Sequence, residues 1–130
     1  MATRMIMLGL NVALAAALVG CASVDTATKF NDLNLITPGP KPVAHVNGSC
    51  WGFYVLNFIP IVSGSTDSPG WPTIFSDTAA VEPVVDMTTR KARQMGASSF
   101  RDLHSHKVSI PIVPLFIWIK SCEVSATGAR

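Results

Sequence analysis

The stretch "VNGSCWGFYVLNFIPIVSG", residues 46–64, carries Trp51, Phe53, Tyr54, Val55, Phe58 and Ile59 between turn-forming residues. Aromatic and β-branched side chains of this kind favour a pleated, half-buried backbone, so the stretch reads as a strand. Apolar residues fall on both alternate faces. The strand is therefore either central, with cover on both sides, or it runs into an apolar turn at Pro60. It is too short and too interrupted to cross a bilayer as a helix.

Toward the C-terminus, residues 62–75 contain Gly64, Pro69, Gly70 and Pro72, which specify turns and a surface loop. Trp71 lies in that loop. It is read either as a plug over the core or as a ligand contact, because loops often carry function. In "SDTAAVEPVVDMTTRKARQMGA", Ser76 or Asp77 can cap a helix, Pro83 suits a first turn, and Gly96 supplies a stop. A helix from Pro83 to Met95 follows, with 79–82 a preceding turn or a kinked extension. Val84, Val85, Thr88, Ala92 and Met95 share its apolar face, and Asp86 and Arg90 form an i,i+4 pair.

"SSFRDLHSH", residues 98–106, reads as a short strand. "PLFIWIKSCEVSATGAR", residues 114–130, reads as a longer one, with Phe116, Trp118, Cys122, Val124 and Ala126 on one side. Pro111 and Pro114 confine its approach to an edge or a loop. The expected fold class is α+β: a small antiparallel or mixed sheet of about three to four strands packed with one main helix. A signal peptide and a flexible tether precede it. The domain limits are 1–20 for the leader, 21–42 for the tether and 43–130 for the domain.

The tether is read from "ASVDTATKFNDLNLITPGPKP", residues 22–42, where no helical or strand period survives and Pro38, Pro40 and Pro42 close the run. The leader has Arg4 followed by an apolar segment of about 15 residues, short of the roughly 20 that span a membrane. A signal anchor is the competing reading. The segment ends in Leu18-Val19-Gly20-Cys21, which resembles the lipobox of bacterial lipoproteins. That resemblance implies cleavage between Gly20 and Cys21, a diacylglycerol thioether on the Cys21 sulfur, and palmitate or another acyl chain on the new amino group. No other cofactor is implied. Ala22, where an aspartate would resemble an inner-membrane retention signal, implies the outer membrane facing the periplasm. The lipobox, together with "DTAAVEPVVDMTTRKARQMGASSFRDLHS" (77–105) and the closing "EVSATGAR" (123–130), resembles small proteobacterial lipoproteins to which no activity attaches.

The chain of 130 residues carries ten Lys and Arg against eight Asp and Glu, and loses only Arg4 with the leader. A balance this close to neutral gives no basic footprint for nucleic acid. Membrane attachment is expected through lipid, and an envelope protein is the other expected partner. Of three cysteines, Cys21 takes the lipid, and Cys50 and Cys122 remain as a pair in an oxidising compartment. A disulfide between them would close a loop of about 70 residues, worth about 4 kcal/mol in the chain-entropy model. The alternative is two buried thiols.

His104 and His106 alternate on one strand face and could hold a metal if a third ligand arrived from His45, Asp102 or Glu123. Without one, no metal is expected. Asp102, His104 and Ser105 have the residue types of a hydrolytic triad, yet adjacent strand positions point to opposite faces. No catalytic residue is assigned, and the expected role is structural or interactive rather than enzymatic. The alternative is an envelope sensing or binding module that uses Trp71, or His104 and His106.

Overall fold

The computed structural model describes residues 22–29 and 38–130. The elements are β1 (Ala22–Ala27), β2 (Pro42–Val55), β3 (Ile59–Gly64), β4 (Pro72–Ile74), α1 (Val81–Gln94), β5 (Ser99–Val113) and β6 (Ile117–Ala129). They build an antiparallel sheet of six strands in the order β4-β3-β2-β6-β5, with β1 added beside β2. β2 and β6 pair along their whole length, from Pro42 opposite Ala129 to Val55 opposite Ile117. The other edge of β2 is shared. β1 covers His45 to Cys50, and β3 covers Gly52 to Val55.

This architecture is mostly β, which corrects the expected α+β layer of three to four strands with a main helix. The difference lies in stretches whose strand character comes from a neighbour rather than from their own pattern. Residues 22–27, expected within the tether, form β1 because β2 offers an edge whose backbone groups need partners. Ser23 and Ser49 add a hydroxyl pair at 2.9 Å. The tether and domain limits at 21–42 and 43–130 shift accordingly, since β1 and Pro42 belong to the sheet. Residues 72–74, expected in a surface loop, pair with Val62 to Gly64 as β4. The short strand expected at 98–106 is the first part of β5, which runs for 15 residues. An outer strand needs no clean alternation, and it is where Pro111 can be accommodated. The signal peptide 1–20, Cys21 and residues 30–37 lie outside the described residues.

The core lies between one face of the sheet and α1. Even-numbered positions of β2, namely Ala44, Val46, Gly48, Cys50, Gly52 and Tyr54, are all buried. Cys122, Val124, Ala126 and Gly128 continue that face on β6. Most of these side chains are small, so the helix approaches closely. A Cβ on Gly48 would overlap Thr88 Oγ1, and one on Gly128 would lie 2.8 Å from Ala97 Cβ. From α1, Val84, Met87, Thr88 and Ala92 are buried. Met87 joins the expected face, and Val85 and Met95 pack against the core partly buried.

α1 begins two residues before the expected start. Pro83 is its third residue, where a missing N–H costs nothing because first-turn amides have no acceptor within the helix. Ala80 holds the N-cap position without a side-chain bond. Of the expected caps, Asp77 is engaged elsewhere, accepting from Tyr54 OH, and Ser76 is held through its backbone carbonyl by Ser63 Oγ at 2.7 Å. Gly96, at φ +90°, ends the helix as expected.

Candidate functional site

The two hairpins of the sheet turn side by side at one end. In the β2–β3 turn, Phe58 N–H donates to Val55 O at 3.2 Å, with Leu56 at φ 51° and Asn57 at φ 67°. Two successive positive φ angles make this a type I′ turn, which suits Asn57 but not Leu56. In the β5–β6 turn, Phe116 N–H donates to Val113 O at 3.0 Å across Pro114 and Leu115, the latter at φ 70°. Proline followed by a positive φ makes a type II turn, whose second central position favours glycine or asparagine. Leu56 N–H donates to Phe116 O at 3.0 Å, and Ser109 Oγ donates to Asn57 Oδ1 at 2.9 Å, so the tips are joined.

Both tips thus place a leucine in left-handed backbone, at a cost of about 1–2 kcal/mol each. Neither leucine recovers this by burial: Leu115 is 74% exposed and Leu56 44%. Phe58 (68%) and Phe116 (61%) stand beside them, and Ile59, Ile110, Ile112, Val113 and Ile117 extend the exposed apolar surface along the strand ends. No charged side chain occurs from Val46 to Thr66 or from Val108 to Ile119. A contiguous apolar end of this kind marks an interaction surface. The sequence reading missed it. The available signals were Asn57 within one apolar run and Pro114 within another, each a turn residue that puts its neighbours at a tip.

Under this end, on the helix side, lies a polar network. Tyr54 OH donates to Asp77 Oδ1 at 2.6 Å, and Lys120 Nζ sits 4.6 Å from the centre of the Tyr54 ring. Burial, then the hydrogen bond to Asp77 and its charge, push the Tyr54 phenol above its ordinary pKa. Thr78 Oγ1 lies 2.6 Å from both Ser63 Oγ and Gly64 O. These bonds tie residues 76–79 to β2 and β3, leaving the hydroxyls occupied by structure.

Cys50 and Cys122 face each other as register partners on β2 and β6, both fully buried. Directly opposed residues in an antiparallel pair lie about 4.5–5.5 Å apart at Cα, within the span of a disulfide. The structure carries both as thiols. Cys50 Sγ is 3.4 Å from Gly64 O. Burial pushes the Cys122 thiol pKa up, with Lys107 opposing and Glu123 adding to the shift.

Trp71 is 71% exposed, which removes its reading as a core plug. Its loop is closed by Ser65 N–H to Trp71 O at 2.7 Å and Trp71 N–H to Ser68 O at 3.1 Å. The nearby depression is lined by Thr66, Asp67, Met87 and Arg90 rather than by Trp71. Arg90 there is engaged at 3.0 Å from Asp67, 3.2 Å from Asp86 and 2.8 Å from Thr66 O, so the expected Asp86–Arg90 pair is one arm of a larger clasp.

His104 and His106 are exposed on β5, opposite Ser125 and Glu123. His45 stands apart on β2, with Nδ1 3.2 Å from Thr127 Oγ1. Among the described residues no three His, Cys, Asp or Glu side chains converge on a metal position. His104 and Ser105 face opposite sides, since their register partners are Ser125 and the buried Val124. Among the described residues no helix is long and apolar enough to cross a membrane. No family model matches the chain, and neither does any curated protein or solved structure.

Proposed function

We propose that the chain is a lipoprotein of a bacterial envelope, fastened through Cys21 to the outer membrane on its periplasmic side and acting by structural support or interaction rather than by catalysis. The observation that carries this reading is Leu18-Val19-Gly20-Cys21 at the end of an apolar leader of secretory length. The described sheet begins at Ala22, the residue that follows Cys21 in the sequence, so little chain would separate a lipid on Cys21 from the domain. Engagement of Ser63, Thr78, Tyr54 and Arg90 in bonds that hold the fold also favours a structural role.

The test is metabolic labelling with palmitate. The native chain takes up label and is trimmed. Cys21→Ala leaves an unlabelled precursor, and normal labelling of that variant excludes the anchor. A second reading, an envelope binding or sensing module, is favoured by the exposure of Trp71 on a closed loop. In that case Trp71→Ala abolishes capture of an envelope partner while leaving lipid attachment intact.

A further inference from the structure

The apolar end and the start of the sheet are related by topology. β1 runs antiparallel to β2, with Ala22 opposite Cys50 and Ala27 opposite His45, so its N-terminal end points toward the hairpin tips. From Cys50 to Leu56 is six residues, about 20 Å of strand. Ala22, which follows the lipidated position in the sequence, therefore lies in the half of the sheet that ends in Leu56, Phe58, Leu115 and Phe116.

From these placements we infer that the tips of the β2–β3 and β5–β6 hairpins insert into the surface of the bilayer that holds the Cys21 lipid. The inference rests on the lipoprotein reading and adds to it a second contact that sets the orientation of the domain.

Three observations identify the occupant as lipid. The first is charge. No charged side chain occurs from Val46 to Thr66 or from Val108 to Ile119, so the tips carry no charge that a bilayer surface would have to desolvate. The first cation along β6, Lys120, and Lys107 on the neighbouring strand lie opposite Gly52 and Cys122, on the α1 face. The second is the strained leucines. A protein interface could use glycine or asparagine at these turn positions and apolar strand ends beside them. Leu56 and Leu115 instead put the largest apolar reach at the outermost points. The third is the single-sided entry of the anchor. One lipid point leaves a domain free to swivel, and a second apolar contact on the same half of the sheet removes that freedom.

The roughly 20 Å between Ala22 and the tips also bears on the pose. An upright sheet would lift Ala22 away from the surface, so the sheet leans. The side toward which it leans is the one without α1, where Phe53, Ile119 and Ile110 continue the apolar surface.

The test uses the full lipidated chain, reconstituted in vesicles of phosphatidylethanolamine and phosphatidylglycerol whose acyl chains carry bromine. Phe116→Trp adds a reporter at one tip and Phe58→Trp at the other, each compared with the parent protein and its native tryptophans. The expected result is that the added emission is blue-shifted and lost in brominated vesicles while the protein floats with them. Flotation with unquenched, red-shifted emission overturns the insertion and leaves the anchor standing. Flotation with blue-shifted but unquenched emission means that protein, a second copy of this chain included, covers the tips, and also overturns it. Failure to float overturns the lipoprotein reading and this inference together.

Discussion

Leu115→Asn should stabilise the folded domain. Leucine at φ 70° pays a left-handed penalty of about 1–2 kcal/mol that asparagine largely escapes through local hydrogen bonding. Against this stands lost burial. Leu115 is 74% exposed, so only about a quarter of the roughly 1.5–3 kcal/mol available to a fully buried leucine is at stake, about 0.5 kcal/mol. The net gain is about 1 kcal/mol, which for a domain of this size raises Tm by about 4 °C. Urea unfolding of the purified protein measures it, with a higher midpoint and an unchanged slope. The same variant should hold less firmly to vesicles, because the outermost apolar group is gone. Leu56→Gly is the internal control: Leu56 is more buried, and glycine adds unfolded-state entropy, so stability should change little. A Leu115→Asn protein that is less stable than its parent would refute the view that this leucine is held against the preference of its backbone.

Three further outcomes follow from the core. Gly48→Ala should cost about 1–3 kcal/mol by overpacking against Thr88, and Thr88→Ala should relieve part of that cost, giving a favourable coupling in a double-mutant cycle; strict additivity would place the helix farther from the sheet. Tyr54→Phe should cost about 1–2 kcal/mol at neutral pH through the lost bond to Asp77. Because the folded phenol pKa is raised, that contribution is fully present below about pH 10 and fades as pH rises beyond it, so parent and variant should converge in alkaline urea titrations. In the oxidising compartment that the lipoprotein reading implies, Cys50 and Cys122 should be joined. Alkylation of the native state cannot read this because both are buried, so the assay is alkylation after unfolding: a bridged pair takes up no label until reduced, and uptake of two labels beforehand would show thiols.

How much of this was legible in the sequence depends on whether a segment carries its own pattern. β2 did through its aromatic and β-branched residues, and β6 through the alternation of Cys122, Val124 and Ala126, and their pairing sets the two cysteines opposite each other. The helix was legible from Pro83 and Gly96, and its inward face from Val84, Thr88 and Ala92, though Met87 was not counted in it. β1 was not legible, because six small and polar residues become a strand only when β2 leaves an edge open to them. β5 was legible only in part, since an outer strand mixes polar and apolar residues without period. The apolar end was hidden because Leu56 and Leu115 look like core residues. Their exposure follows from turn geometry that their own side chains oppose.

The most direct measurement is the intact mass and N-terminal fragment mass of the protein purified from envelopes. The lipoprotein reading requires a chain that begins at Cys21 and carries a diacylglycerol together with a further acyl group. A product that starts at any other residue, or starts at Cys21 without fatty substituents, would contradict it.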